Sequence, residues 1–398
     1  MLEIFINKNT ENNAINKEIS LLENGHLVEY YTEEEKDLRK EGNIYIGIIQ
    51  DIIKGMQSAF VDIGTEKNSF IHLKDLLPKI DETKNNTKND NKEITQVVKK
   101  NDKILVQVKK DSNIQKGARV STHINLPSKY IVFMPNTDIV TISQKIEDKK
   151  EQERLLKLVK ENLSSGNGAV IRTSAIGKTK EIIEDIKNVE AKWKEIEEKY
   201  QNEKQSKKPK LIYKSENIVE KMILDLSENT IQRILTNDET EYNKLIKMQK
   251  ENTYLAKIKI ELKKEEILNI YDAKKQIDKL QNRKIWLKCG GFITIDRTEA
   301  LTAIDVNTGK YTGTKNVEQT IYKVNEEATI EIAKQLRLRD IGGIIIIDYI
   351  DMKDRENKEK IQKLLIEELK NDRAKTQVEG FTKLDLMEMT RKHIISHR

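Results

Sequence analysis

Cysteine is almost absent: Cys289 is the only one among 398 residues. That excludes an internal disulfide and any zinc centre built on cysteines, and a lone Cys most often packs as a small apolar side chain. Proline occurs 4 times and aromatics make up 5%, which is not the composition of a collagenous or wholly disordered chain. Long hydrophobic runs are missing too. The most apolar stretch, Ile341 to Ile347, is closed by Asp348, far short of the roughly 20 residues that a membrane-spanning helix needs. The opening MLEIFINKNTENN has no basic region followed by a long apolar core, so it does not read as a secretory signal. These absences lead to the expectation of a cytoplasmic protein without a membrane span. The 5 histidines fall in no H-x-H or H-E-x-x-H spacing, and neither a G-x-S-x-G elbow nor a G-x-x-x-x-G-K-[ST] loop occurs. Any catalysis is therefore expected to be metal-borne.

Charge, in contrast, is abundant. Charged residues are 35% of the chain, against roughly 25% in an ordinary soluble domain. Lys plus Arg is 72 and Asp plus Glu 66, a net +6. Most of this Lys/Glu alternation reads as solvated helix face, so the net charge alone does not identify a nucleic-acid partner. The length suits about two to four domains.

Along the chain, Leu2 to Ile6 is strand-like and a second apolar segment ends in Tyr30-Tyr31. Short β segments follow at Asn43 to Ile49, Ala59 to Ile63, Ser69 to Leu73 and Ile104 to Val108, separated by Gly and charged turns. Such a series with little helix between suggests a small barrel, with the polar run from Lys79 to Lys103 as an extended loop. Beyond it, Tyr130 to Met134 reads as strand, Glu147 to Asn162 as helix, Ala169 to Thr173 as strand and Lys180 to Gln205 as a long charged helix. A strand at Leu211 to Tyr213 precedes helical stretches through Glu216 to Asn252. From Ile285 onward strand and helix alternate, predicting an α/β fold.

Two segments in that last part carry an acid at the end of an apolar strand. In ALTAIDVNTGK, residues 300–310, a period of two puts Asp305 and Asn307 on one face, and the Thr308-Gly309 turn leaves that edge accessible. In IGGIIIIDYIDM, residues 341–352, four consecutive isoleucines predict a strand buried on both faces, with Asp348 at its C-terminal end, where α/β folds place their sites. Asn316 to Arg339 reads as an amphipathic crossover helix, with Gly342-Gly343 just past its end. Strand, helix and strand bring Asp305 and Asp348 within reach. Two carboxylates and an amide form a hard-oxygen set that suits Mg²⁺ or Mn²⁺, and such an ion activates water against a phosphodiester. Spacing alone leaves open that both acids merely cap strands, and Asp351 is a further ligand or a surface acid.

In AFVDIG the residues Ala59, Val61 and Ile63 share one face, leaving Phe60 on the other; in SFIHL, Ile71 and Leu73 leave Phe70 opposite. The chain has only 6 Phe. Two on the polar side of a small barrel are what stacking on single-stranded nucleic acid requires, although rings covering a neighbouring domain would give the same pattern. Lys109, Lys110 and Lys116 lie near enough in sequence to meet phosphates. Arg172 and Thr173, beside a Gly-flanked strand, form a weak phosphate-binding pair.

Together GNIYIGII, SAFVDIG, ALTAIDVNTG, EIAKQLRLRDIGGIIIIDYIDM and GFTKLDLMEMTRKH resemble the ribonuclease E/G family over nearly the whole chain, most weakly from about residue 180 to 280. The resemblance implies a multidomain α/β (α+β) protein: a ribonuclease-H-like subdomain (1–36 and 213–281), an inserted OB-fold RNA-binding domain (37–125), a 5′-phosphate sensor (126–212) and a DNase-I-like catalytic subdomain (282–398). It implies Mg²⁺-dependent endonucleolytic cleavage of single-stranded RNA to 5′-monophosphate and 3′-hydroxyl ends, in RNA processing, decay and rRNA maturation. By motif, Asp305 and Asp348 match the metal aspartates and Asn307 the asparagine that orients the first. Phe60, Phe70, Lys110 and Lys116 match the RNA contacts. Arg172 and Thr173 match the 5′-phosphate sensor, with Lys375 where an arginine helps hold the phosphate. Lys cannot grip phosphate bidentately, and Ser128 replaces a glycine of the sensor pattern, so weaker sensing of the 5′ end is expected. The family's C-P-x-C zinc link has no counterpart up to Arg398; no zinc is expected, and a homodimer is left open. The alternative is a non-catalytic single-stranded RNA-binding protein of the same fold.

Overall fold

The computed structural model describes residues 1–11, 14–34, 40–76, 93–112, 116–226, 231–264, 266–309 and 317–395. Most of the polar run predicted as a loop (79–92), together with Lys310 and Asn316, lies outside them. The chain divides into two compact units, Met1–Leu38 with Glu228–His397, and Arg39–Ser227.

The Arg39–Ser227 unit contains a closed barrel. Strands β1 (Ile44–Ile53), β2 (Ser58–Asp62), β3 (Ser69–His72), β4 (Lys103–Lys110) and β5 (Arg119–Ser121) pair in the ring β1-β2-β3-β5-β4-β1. Only β3 and β5 run parallel. Closure removes the open edges that a sheet this small would otherwise present. Alternation fills the interior with Ala59, Val61, Ile71, Val106 and Val120, each with zero exposure. Lys210–Tyr213 pairs with β1 outside the ring. Beside the barrel lies a four-stranded sheet in the order Val140–Ile142, Asn167–Ile171, Ile131–Pro135, Leu126–Pro127. Two helices, Lys149–Asn162 and Lys180–Glu203, contribute Leu155, Val159, Ile182 and Ile186 to its core, which it shares with Ile44 and Ile46 of β1.

The other unit has two sheets. The five-stranded one runs Lys259–Leu262, Ile231–Thr236, Leu2–Glu11, Ala14–Glu23, His26–Glu34. The Ile231–Thr236 strand corrects the prediction of helical stretches alone through Glu216 to Asn252: helices Ile218–Asp225 and Glu239–Glu251 flank it. Its IQRILT pattern is too short to separate strand from helix by period, and parallel pairing with Leu2–Glu11 settles the matter.

The six-stranded sheet is ordered Lys284–Trp286, Phe292–Arg297, Leu301–Asn307, Gly343–Asp348, Met387–Arg391, Thr376–Phe381. Helix Val317–Leu338 crosses over between the two central strands, which makes them parallel. It presses Val324, Ala328, Ile332 and Leu336 onto Ile293, Ile304, Ile345 and Ile347, and Arg355–Leu369 adds Ile361 and Leu365. Among the described residues, helices cover one face only. The four-isoleucine strand is therefore not buried on both faces as predicted: Ile345 and Ile347 are fully buried, whereas Ile344 is 51% exposed. A run of isoleucines marks β propensity but does not count the layers above it.

The residue that turns left-handed after the crossover helix is Asp340, at φ 45°, and Gly342-Gly343 lie beyond it. Asp340 is held by Arg391, whose Nη1 donates to Asp340 Oδ1 at 2.8 Å while its Nε donates to Asp372 Oδ2 at 2.7 Å. All three side chains are buried. Arg391→Met should destabilise the protein by about 3–5 kcal/mol, because two carboxylates lose their buried counter-charge. Chemical denaturation measures this, and a loss below about 1 kcal/mol would show that the trio is dispensable.

Candidate active site and RNA-binding face

The open face of the six-stranded sheet carries the predicted acids. Parallel register sets Asp305 directly opposite Asp348, on strands about 4.8 Å apart, and both are exposed. Asn307, two residues on and so on the same face, donates from Nδ2 to Asp305 Oδ2 at 2.6 Å. The turn after it needs a glycine: Gly309 has φ +59°, and a Cβ there would meet Gly290 O at 2.4 Å. Beyond Asp348 the chain is pinned by buried Asn325, whose Nδ2 donates to Ile350 O at 2.8 Å and whose Oδ1 accepts from Ile350 N at 3.1 Å. No local pattern announces that clamp.

Burial, then the charges of Asp305 and Asp351, raise the Asp348 pKa above the ordinary carboxylate range. Two facing acids joined by an amide oxygen form a donor set that suits a hard divalent cation. Among the described residues no group of three or more His, Cys, Asp or Glu could hold a metal. The candidate set is therefore the two-carboxylate one, completed by the amide and solvent.

On the barrel, Phe60 and Phe70 are direct cross-strand partners with ring centroids 6.3 Å apart, edge to face. The row continues from Phe70 to Arg119 and from Arg119 to Lys110. Aromatic and basic groups thus line one band of the outer surface. Arg119 was missed by motif, although its place between buried Ala118 and Val120 gives its outward direction. It is gripped by Asp75, with Nη2 to Oδ2 at 2.8 Å. Lys110 and Lys116 are exposed. Lys109 points differently: its Nζ donates to Gln107 Oε1 at 2.7 Å, and burial lowers its pKa to about 8.

Arg172 and Thr173 sit just past the Asn167–Ile171 strand rather than within it, Thr173 opening a short 3-10 turn. The Arg172 guanidinium donates to Ser128 O at 3.0 Å and forms an ion pair with Asp225. Asp225 is brought there by the end of helix Ile218–Asp225, whose terminal carbonyls at Ile223 and Leu226 accept from the buried Lys129 ammonium. Neither Asp225 nor Lys129 has a local sequence signal. Ser128 donates from Oγ to Asp185 Oδ1 at 2.5 Å, and Tyr130 N donates to Oδ2 at 2.9 Å. Lys375 is exposed and belongs to the other unit, before the Thr376–Phe381 strand.

The chain thus carries a central pair of facing acids on one sheet and an aromatic-basic band on a small barrel. The model of the Ribonuclease E/G family matches residues 125–394. A protein named ribonuclease G from Salmonella typhimurium is 37% identical over 387 residues, 94% of this chain and 77% of its own length, and its Escherichia coli counterpart matches equally well. A protein named ribonuclease E from Nostoc is 33% identical over 88% of this chain and 51% of its own length. The chain belongs to the ribonuclease E/G family. Among the described residues no helix is long and apolar enough to cross a membrane.

Beside the phosphate-site candidates, Asp185 gives a pH test. Burial pushes its carboxyl up to about 6, against the hydrogen bonds that favour the ionised form. A pKa raised on folding means that the fold binds this proton more tightly than the unfolded chain, so its contribution to stability falls as pH rises from about 4 to about 6. The wild-type unfolding midpoint, compared with that of Asp185→Asn, should decline across that window. A pH-independent difference would show an unshifted carboxyl.

Proposed function

We propose that this protein is a metal-dependent endoribonuclease that cleaves single-stranded RNA to 5′-monophosphate and 3′-hydroxyl ends, in RNA processing and rRNA maturation in the cytoplasm. The observation that carries this reading is the Asp305/Asp348 pair in register on an uncovered sheet face, with Asn307 bonded to Asp305. Asp305 and Asp348 hold Mg²⁺, or Mn²⁺ in its place. When bound, such an ion polarises the phosphodiester and lowers the pKa of a water to serve as nucleophile. Asn307 orients the Asp305 carboxylate through its Nδ2 bond and offers the second hydrogen of that Nδ2 to a phosphate oxygen. Asn325 fixes the backbone after Asp348, so the second carboxylate keeps its height on the strand. Zinc has no part in this reading.

The barrel is assigned as an OB-fold, supported by its five-stranded closed order. Phe60 and Phe70 stack with bases, worth about 1–3 kcal/mol per base, while Lys110 and Lys116 meet phosphates. Arg172 and Thr173 take the 5′-phosphate. The ribonuclease-H-like and DNase-I-like assignments of the two sheets of the other unit rest on the family resemblance.

Asp305→Asn and Asp348→Asn should each cut cleavage of a 5′-monophosphorylated single-stranded RNA by about a hundredfold or more, the scale for losing a principal charge-stabilising group, with RNA binding retained. Cleavage gels with Mg²⁺ and with EDTA measure this. Undiminished cutting in both variants would sink the assignment, and wild-type binding without Mg²⁺-dependent cutting would favour the non-catalytic RNA-binding alternative.

The Arg172–Asp225 pair yields a second test. An incoming phosphate has to displace Asp225, so Asp225→Asn should raise the ratio of rates on 5′-monophosphorylated and 5′-hydroxylated RNA severalfold. An unchanged ratio would remove Arg172 from the phosphate site.

A further inference from the structure

The open sheet face holds a cluster that the motif-matched residues leave unused. Trp286, on the edge strand, pairs with Phe292, and Phe292 pairs with Asn307. The two rings meet edge to face with centroids 5.4 Å apart. Lys284 Nζ lies 4.2 Å from the Trp286 centroid and 3.5 Å from that of Phe292. Despite these neighbours Trp286 stays 57% exposed. An exposed tryptophan beside a cation, on the face that carries the acids, is poorly explained by folding alone. Burying the ring would have been favourable.

We propose that Trp286 is a base-stacking platform for a nucleotide flanking the scissile phosphate, with Lys284 meeting that nucleotide's phosphate. This rests on the nuclease reading above. Three observations converge on a nucleobase as the occupant. The row Trp286–Phe292–Asn307 leads straight to the residue bonded to Asp305. Its two strand spacings put Trp286 about 10 Å from Asn307, a reach suited to a neighbouring nucleotide. The ammonium supplies charge complementarity to a phosphate at the same spot. Arg283, next in sequence, does not compete for that role, because Asp296 already grips it with bonds of 2.5 and 2.6 Å.

The platform would act on position rather than on chemistry, so its test is positional. RNA substrates carrying one abasic nucleotide at successive positions around the cut are cleaved by wild type, Trp286→Ala and Trp286→Phe. The wild type should lose about tenfold at one flanking position. Trp286→Ala should be slower on intact RNA and indifferent to the abasic nucleotide there, and Trp286→Phe should recover much of the difference. Equal sensitivity in wild type and Trp286→Ala overturns the platform while leaving the nuclease reading untouched.

Fluorescence supplies an arm that needs no cleavage. The chain has 2 tryptophans, and the other, Trp193, is 8% exposed. In the Asp305→Asn protein, single-stranded RNA should quench the exposed Trp286, and the quench should vanish in the Trp286→Phe double variant. RNA binding without a quench overturns the proposal even if the wild type fails to cut, and that failure would separately count against the nuclease reading.

Discussion

Two carboxylates held opposite each other by parallel strand pairing are the constraint from which the rest of the catalytic unit follows. The ladder fixes Asp305 against Asp348, and burial, then the charges of Asp305 and Asp351, raises the pKa of Asp348. Two like charges side by side have to be held in place from elsewhere. The support lies in the buried crossover helix: its apolar stripe anchors both strands from below, and its Asn325 ties the chain past Asp348. Beyond the helix, Arg391 neutralises Asp340 and Asp372 in the core. The strain of like charges at the surface is thus matched by well-paired polar groups underneath.

The same sheet explains why the facing acids lie on one side. Helices cover the face bearing Ile293, Ile304, Ile345 and Ile347, and the opposite face presents Asp305, Asn307 and Asp348 with exposed Ile344 and Trp286. On the proposed reading the uncovered face is the working surface, and its apolar residues serve RNA rather than a second helical layer.

Much of this was legible in the sequence. Alternation in AFVDIG and SFIHL gave the outward direction of Phe60 and Phe70, because a period of two is a local property that survives folding. The acids at the ends of ALTAIDVNTG and IGGIIIID were visible for the same reason. What stayed hidden depends on distant partners. The strand Ile231–Thr236 is fixed by pairing with Leu2–Glu11, some 230 positions away. The one-sided burial of Ile344 to Ile347 depends on where helices are absent. Asp225 reaches Arg172 only through a helix end that buried Lys129 secures. Trp286 has no local signal, since its setting comes from its cross-strand neighbour Phe292 and the Asn307 that lies beyond it.

The barrel unit differs from the catalytic one in how its charges are arranged. Arg119 is held by Asp75 and Arg172 by Asp225, so two of its outward guanidiniums are already matched by carboxylates, whereas Lys110 stands exposed. A guanidinium in an ion pair with partial exposure gains little net stability from it, and a phosphate offering charge-assisted, bidentate bonds can compete for it. The pairing therefore sets a threshold rather than a block. On the proposed reading an RNA strand meets exposed Lys110 and the stacking rings, and a terminal phosphate competes with Asp225 for Arg172. General RNA binding and recognition of the 5′ end would then differ in strength for an electrostatic reason built into side chains that no single motif contains.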